Sequence, residues 1–241
     1  MVDALFADDR LAGLYDLIDD DRNDLLAYLG IVDELGAASV VDVGCGTGTF
    51  ACLLASRGKR VVAVDPAAAS LTVARRKPGA GDVVWVHGDA TAVGPVEADL
   101  VTMTGNVAQV FTSDASWATT LSAARTALGP DGWLVFETRD AAREAWTSWN
   151  RAATYRELSL PNGDHVTTWV ELTAVELPLV SFRHVFRFEA RRQVLTSDST
   201  LRFRTADELV TSLDAAGFEV REIRDAPDRP GLELVVLAQP R

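Results

Sequence analysis

The chain has 241 residues, 48% of them hydrophobic, enough for one large domain with ample core or for one domain carrying an insertion. Its 35 acidic against 23 basic residues give a formal net charge of −12, a field that repels nucleic acid and anionic lipid and leaves small molecules or peptides as the expected partners. No run is long and apolar enough to span a bilayer, the Asp-rich N-terminus lacks the basic start of a signal peptide, and two cysteines with three histidines form no metal-ligand cluster, so a cytoplasmic protein with no metal is expected.

Residues 3–37 carry helical periodicity, with Leu11, Leu14 and Ile18 before a polar break at 19–24 and Leu25, Leu29 and Val32 after it, and read as two helices. The β-branched run Val40 to Val43 then reads as a buried parallel strand that stops at Gly44, Gly46 and Gly48, with a helix over Phe50 to Ser56. Strand, glycine turn and helix N-terminus form a cradle for a nucleotide-like cofactor. A dinucleotide fingerprint needs a third glycine where Thr49 stands, and the carboxylate of Asp42 beside the loop would repel a pyrophosphate while favouring a cationic ligand. Arg60 to Val64 is a second strand ending in Asp65-Pro66. Asp65 stands 21 residues after Gly44, where an acid can accept both hydroxyls of a ribose. Adenosine with a positive, phosphate-free tail describes S-adenosylmethionine. The two cysteines, Cys45 and Cys52, read as reduced, small packing residues.

A helix over Ala67 to Lys77, broken by Pro78-Gly79, leads to a third strand, Val83 to Val86, with His87-Gly88-Asp89-Ala90 as its exit loop. Asp42-Val-Gly-Cys-Gly-Thr-Gly48, Asp65-Pro66 and His87 to Ala90 together resemble the class I S-adenosylmethionine-dependent methyltransferases, over roughly the whole chain in strand order. The resemblance implies an α/β fold, a Rossmann-like seven-stranded sheet of six parallel strands and an antiparallel seventh with helices on both faces. It implies S-adenosylmethionine as cofactor, leaving as S-adenosylhomocysteine, with Asp42, Gly44, Cys45, Gly46, Gly48, Asp65, Pro66, Asp89 and Ala90 around it. Asp89 would accept the adenine amine, the alternative being a turn-forming Asp. Residues 1–38 would form a helical cap, in which Tyr15-Asp16 resembles a cofactor-facing pair; a half-buried packing aromatic is the alternative for Tyr15.

The fourth strand, Asp99 to Met103, runs into Thr104-Gly-Asn-Val-Ala-Gln-Val-Phe111, where the family places the transferring methyl group. Gly105-Asn106 with Phe111 resembles the corresponding segment of glycine and sarcosine N-methyltransferase-like enzymes, although Val107-Ala108 departs from it. Thr104 and Asn106 are candidates to touch cofactor, and Asn106 and Gln109 to orient an amine or carboxylate; a helix N-cap is the alternative for Asn106. A helix over Asp114 to Leu128 and a fifth strand, Trp133 to Glu137, follow.

From Tyr155 to Arg204 the pattern alternates as three or four antiparallel strands, with a Pro-Asn-Gly-Asp turn at 161–164. An insertion over 140–204, attached after the fifth strand, falls near the carboxyl ends of the parallel strands and reads as a substrate lid, or as a dimerisation surface. Trp146, Trp149, Tyr155 and Trp169 are candidates to hold an apolar or cationic acceptor, or to form a satellite core. Arg139 is a candidate to pair with an acceptor carboxylate, against a surface ion pair with Asp140 or Glu144. The core, 39–139, resumes over 205–241 with a capped helix at Thr205-Ala-Asp-Glu208, a sixth strand Glu219 to Arg224 and a seventh Leu232 to Ala238.

The expected activity is methyl transfer from S-adenosylmethionine to a small-molecule amine by in-line displacement, driven by placement. Asn106, Tyr15 and His184 are the catalytic candidates, His184 against a structural sheet residue, and Gln109, Arg139, Trp146 and Trp169 the acceptor-binding ones. O-methylation of a small metabolite and a non-catalytic cofactor-binding protein are the alternatives. The chain is expected to act as a monomer or homodimer.

Overall fold

The computed structural model describes residues 2–18 and 24–241. Where two N-terminal helices are expected, the described residues hold four helical stretches: α1 (Ala4–Ala7), α2 (Asp9–Ala12), α3 (Tyr15–Ile18) and α4 (Asp24–Glu34). The first segment breaks because Asp8 turns to cap α2, its side chain accepting from the Arg10 N–H, and Gly13 ends α2. The polar break of the sequence lies, for residues 19–23, outside the described residues.

The chain then alternates strand and helix: β1 (Ser39–Val43), α5 (Thr49–Ser56), β2 (Arg60–Asp65), α6 (Ala68–Ala74), β3 (Val83–His87), β4 (Ala98–Met103), α7 (Asp114–Ala127) and β5 (Leu128–Arg139). Next come α8 (Arg151–Thr154) and four strands, β6 (Arg156–Ser159), β7 (His165–Glu176), β8 (Leu179–Phe188) and β9 (Gln193–Arg202). The chain closes with α9 (Ala206–Ala215), β10 (Phe218–Asp225) and β11 (Glu233–Pro240). The first sheet has the order β10-β11-β5-β4-β1-β2-β3. β11 pairs antiparallel with both neighbours while the pairs among β1 to β5 are parallel, so six strands share one direction and one opposes them.

Period-two alternation explains why this sheet is covered on both faces. Val41 and Val43 pack with Met103, Trp117, Phe136 and Leu213 on one side, while Val40 packs with Leu25, Tyr28, Phe50 and Leu54 on the other. β1 can be almost wholly apolar for that reason, and a buried Asp42 within it is a departure that needs a function. The antiparallel sheet β6-β7-β8-β9 buries Leu158, Val166, Phe186 and Phe188 against Leu5, Leu11 and Leu14 of the N-terminal helices. Helical cap and inserted sheet thus share one core. Arg204 ties the foot of that sheet to the main one, donating from Nη2 to the Phe111 carbonyl (2.7 Å) and from Nη1 to that of Ala108 (3.3 Å). Among the described residues no helix is long and apolar enough to cross a membrane.

Candidate active site

The glycine turn is held by its neighbours in the sheet: the N–H groups of Gly44 and Cys45 both donate to the Val64 carbonyl, at 2.8 and 3.2 Å. Asp65, at the end of β2, accepts from the Gly46 N–H through Oδ2 (2.8 Å) and from the Ala67 N–H through Oδ1 (2.7 Å). Burial pushes its carboxyl above the usual range, and those two N–H groups oppose the shift. Asp42 is buried and its Oδ1 accepts from the Thr102 hydroxyl at 3.1 Å. On the outer side of the turn Asp16 accepts from Thr47 Oγ1 (2.6 Å) and pairs with Lys77 (2.6 Å), which also donates to Thr49 Oγ1 (2.6 Å). The Tyr-Asp pair of the sequence therefore divides its work: Asp16 ties α3 to the glycine turn, and Tyr15 packs on Phe6 with ring centroids 5.5 Å apart. Burial drives the Cys45 thiol up, so it stays protonated, and both cysteines are free.

Two glycines of the turn do different things. Gly48 has φ +75°, and a Cβ there would overlap the Trp85 ring and lie 2.8 Å from Ala74 Cβ, so it lets helix and strand approach each other. Gly46 has φ +53°, and a Cβ there would meet nothing within 4 Å, so its open side is available to a ligand. Gly48→Ala should cost about 3 kcal/mol of stability, summing left-handed strain and overpacking. Gly46→Ala should lose only about 1 kcal/mol, from strain alone, yet weaken cofactor binding at least about tenfold. Urea unfolding and titration calorimetry on the two variants separate these effects; equal stability losses would contradict the assignment.

The exit loop of β3 is a turn in its own right. Asp89 Oδ1 accepts from the N–H of Thr91 at 2.9 Å and caps a single helical turn over Ala90–Ala92, so one of its oxygens serves the turn. His87 Nε2 lies 3.1 Å from the Pro66 carbonyl, joining the ends of β2 and β3.

The most charged part of this edge lies at β4, β5 and β11. The register sets Glu233 opposite Arg139 and Val235 opposite Glu137, so the period of two puts Glu137, Arg139 and Glu233 on one face. Glu137 is 3% exposed and its Oε1 accepts from the N–H groups of Gly105 (2.5 Å) and Asn106 (3.0 Å). Burial and the neighbouring Glu233 push its pKa up to about 8 against the pull of those N–H groups. Asn106 precedes a helical turn at φ +62° but makes no side-chain cap, so the N-cap reading does not hold; its Nδ2 donates instead to Glu233 Oε1 at 3.1 Å. Glu233 Oε1 also accepts from Arg229 Nη1 at 2.7 Å. Arg139 does not pair with Asp140 or Glu144. Its Nη1 donates to Gln109 Oε1 (2.9 Å), its Nε lies 3.9 Å from Glu233, and its guanidinium sits over the Trp149 ring at 5.6 Å, while Asp140 pairs with Arg143. Asn106 Oδ1 and Gln109 Nε2 are buried, and among the described residues neither has a hydrogen-bond partner. Thr104 lies at the mouth of this segment, half-buried.

The inserted sheet brings some of the remaining candidates together and separates others. His184, on β8, stacks on Phe186 with ring centroids 4.5 Å apart, and burial lowers its pKa to about 4, so the ring is neutral near pH 7. Trp146 is buried with Val180 and Phe203 as a small core, while Trp149, between Phe182 and Phe203, reaches Arg139. Trp169 lies on the face of β7 opposite Thr168 and Val170, under the Arg151 guanidinium (4.5 Å) and donating to Glu171 (2.6 Å).

Residues 40–132 match the family model described as a methyltransferase domain. The chain is 28% identical over 216 residues to the malonyl-[acyl-carrier protein] O-methyltransferase of Serratia marcescens, a match spanning 86% of this chain and 75% of that relative. Its fold matches the sugar N-methyltransferase KedS8 from Streptoalloteichus sp ATCC 53650 with a TM-score of 0.76 at 20% identity, over 94% of this chain and 92% of that one. It matches SAM-bound CalS10, an amino pentose methyltransferase from Micromonospora echinaspora, with a TM-score of 0.72 at 22% identity, over 92% and 93%. Residues 40–132 thus carry a methyltransferase domain, and the chain has the fold of these S-adenosylmethionine-dependent methyltransferases. CalS10 is described with S-adenosylmethionine bound, and the residues present here fit that cofactor. The open side of Gly46 gives its backbone room to meet a ligand, and Asp42 and Asp65 at the turn suit a cationic, phosphate-free molecule and oppose a pyrophosphate. Among the described residues no group of three or more His, Cys, Asp or Glu stands together to hold a metal.

Glu137, Glu233 and Arg229, which link the methyltransferase's fifth and last strands to Asn106, were not legible as site residues. The available signal was an acid set in an otherwise buried strand, Val135-Phe136-Glu137 and Glu233-Leu234-Val235, which a periodicity reading treats as a strand end.

Proposed function

We propose that this methyltransferase methylates the nitrogen of a small-molecule amine. One observation carries the reading: the segment after β4 offers an unpartnered carbonyl oxygen, Asn106 Oδ1, and, among the described residues, an unpartnered amide donor, Gln109 Nε2, backed by the buried carboxyl groups of Glu137 and Glu233. An amine brings its own lone pair and needs no base. Positive charge grows on its nitrogen as the bond to carbon forms, and nearby carboxylates favour that charge. Glu137 Oε1 is committed to two backbone N–H groups and His184 is a weak base, so a hydroxyl acceptor would find poor help in losing its proton.

When bound, the cofactor supplies a methyl carbon activated by a sulfonium. That carbon would pass to the amine lone pair with the C–S electrons left on sulfur, and the methylated ammonium would release its proton to solvent. Asp65 would hold the ribose hydroxyls, Asp42 would draw the amino acid tail through its charge, and Asp16, tied to Thr47, would keep the helical cap closed on the turn. Gln109 and Arg139 would orient the acceptor, and the sheet over 156–202 would cover it. KedS8 and CalS10 are described as acting on sugars with amines, which is consistent with a polyhydroxylated amine here; the Serratia relative makes an ester, and the partly exposed guanidinium of Arg139 favours a carboxylate acceptor as the second reading.

Incubation with isotope-labelled S-adenosylmethionine and paired panels of small amines, alcohols and carboxylates decides between them. Labelled methylamine is expected; label only in ethers or esters would overturn the reading. Cofactor binding without label on any acceptor would favour a non-catalytic role.

A further inference from the structure

The carboxamide of Asn106 is held more firmly than a side chain of that length requires. Its backbone sits at φ +62°, pinned by Glu137 through the N–H groups of Gly105 and Asn106. Its Nδ2 is pinned by Glu233, which is itself fixed by Arg229 at 2.7 Å. A carboxylate only accepts, so the amide nitrogen must face Glu233 and the oxygen must face away. That oxygen is buried in a residue 3% exposed and, among the described residues, has no partner. An unpaired buried carbonyl costs free energy unless a ligand completes it. Nothing in packing explains three ionisable side chains, Glu137, Glu233 and Arg229, converging to orient one carboxamide.

We propose that Glu233, braced by Arg229, is a positioning residue that turns the Asn106 carboxamide so that Oδ1 meets a positively charged N–H group at the point of methyl transfer. The inference rests on the reading that the 104–106 segment faces the transferring methyl, and not on the identity of the acceptor. Glu137 fixes where the carboxamide stands, and Glu233 fixes which of its atoms points outward. A hydrogen bond from the acceptor nitrogen to Oδ1 would strengthen as that nitrogen becomes cationic, so it would favour the transition state over the bound amine.

Sinefungin, the cofactor analogue in which an aminated carbon replaces the methylsulfonium, places an ammonium at that point without any acceptor. Titration calorimetry of sinefungin and of S-adenosylhomocysteine gives a ratio of affinities. In the unsubstituted protein sinefungin should bind at least about tenfold more tightly, as one charge-assisted hydrogen bond allows. Asn106→Gly, which keeps the positive φ and removes the amide, should abolish most of that advantage, read as the ratio of sinefungin to S-adenosylhomocysteine affinity within the same variant. Glu233→Leu should do the same. Glu233→Gln, whose oxygen can still accept from Arg229 and Asn106, should keep clearly more of it than Glu233→Leu. Equal affinities in the unsubstituted protein, or an undiminished advantage in Asn106→Gly, would overturn the proposal. Equal losses in the Gln and Leu variants would mean that charge alone acts, and would overturn the orienting role. Should Glu233→Leu fail to bind S-adenosylhomocysteine, Asn106→Gly and Glu233→Gln decide the matter. A failure of the amine reading would show only in the acceptor panel, so the two outcomes are separable.

Discussion

Replacing Asp65 by alanine should weaken S-adenosylhomocysteine binding by about two orders of magnitude or more. A hydrogen bond to a charged group contributes about 1.5–3 kcal/mol, and losing two of them, to the two ribose hydroxyls, amounts to roughly 3 kcal/mol at the least. The carboxylate does a second job that adds to the loss. Its Oδ2 holds the Gly46 N–H and its Oδ1 the Ala67 N–H, so the alanine variant also frees the turn that the cofactor must press against. A carboxylate has about four lone-pair positions, so two backbone N–H groups and two hydroxyls are compatible. Asp65→Asn should fall between, because one of its two atoms becomes a donor facing a backbone donor. Calorimetry reads the affinity, and the thermal midpoint without ligand checks that the fold survives. A change of less than about threefold in the alanine variant would remove Asp65 from the cofactor site.

The parts of this molecule that could be read in advance are those where one physical constraint acts on neighbouring residues. Val40, Val41 and Val43 must be apolar because the sheet is covered on both faces, and Gly46 and Gly48 must lack a Cβ because of what stands, or must be free to stand, beside them. Such constraints leave local signatures, whereas the six parallel strands and antiparallel seventh were implied by the family resemblance those signatures carry. The breaks before Tyr15 left no such signature, because α1 to α3 are one turn long and stabilised by a distant sheet: the Leu5 N–H donates to Ser197 Oγ, and Asp3 accepts from Ser199. Arg139 was weighed against Asp140 and Glu144 because they are close in sequence. Its partners, Gln109, Glu233 and the Trp149 ring, come from three other segments that meet only when β11 pairs with β5. Trp169 and Trp149 look alike as aromatics near the insertion, yet only Trp149 touches Arg139.

Glu137 gives the second large effect, on stability as a function of pH. In the unfolded chain its carboxyl titrates near 4.5, and in the folded protein burial and Glu233 push it up to about 8. Below pH 4.5 it is protonated in both states and nothing is lost. Between these values the folded protein retains a proton that the unfolded chain has released, so each rise in pH favours unfolding, and above 8 the penalty is constant. The cost accumulated across that window is on the order of 5 kcal/mol. Glu137→Gln removes the titration while its oxygen can still accept from the Gly105 and Asn106 N–H groups. The variant should therefore match the parent near pH 5 and exceed it near pH 8, where its thermal midpoint should stand roughly 6 °C or more higher. Subtracting the two urea-unfolding profiles cancels every other ionisable group, and a difference that stays flat from pH 5 to pH 8 would refute the assignment. Above about pH 8 the protein that tolerates this penalty carries a negative charge beside the segment proposed to face the transferring methyl. The same substitution should accordingly lower the turnover of an amine acceptor at pH 8 even as it stabilises the fold.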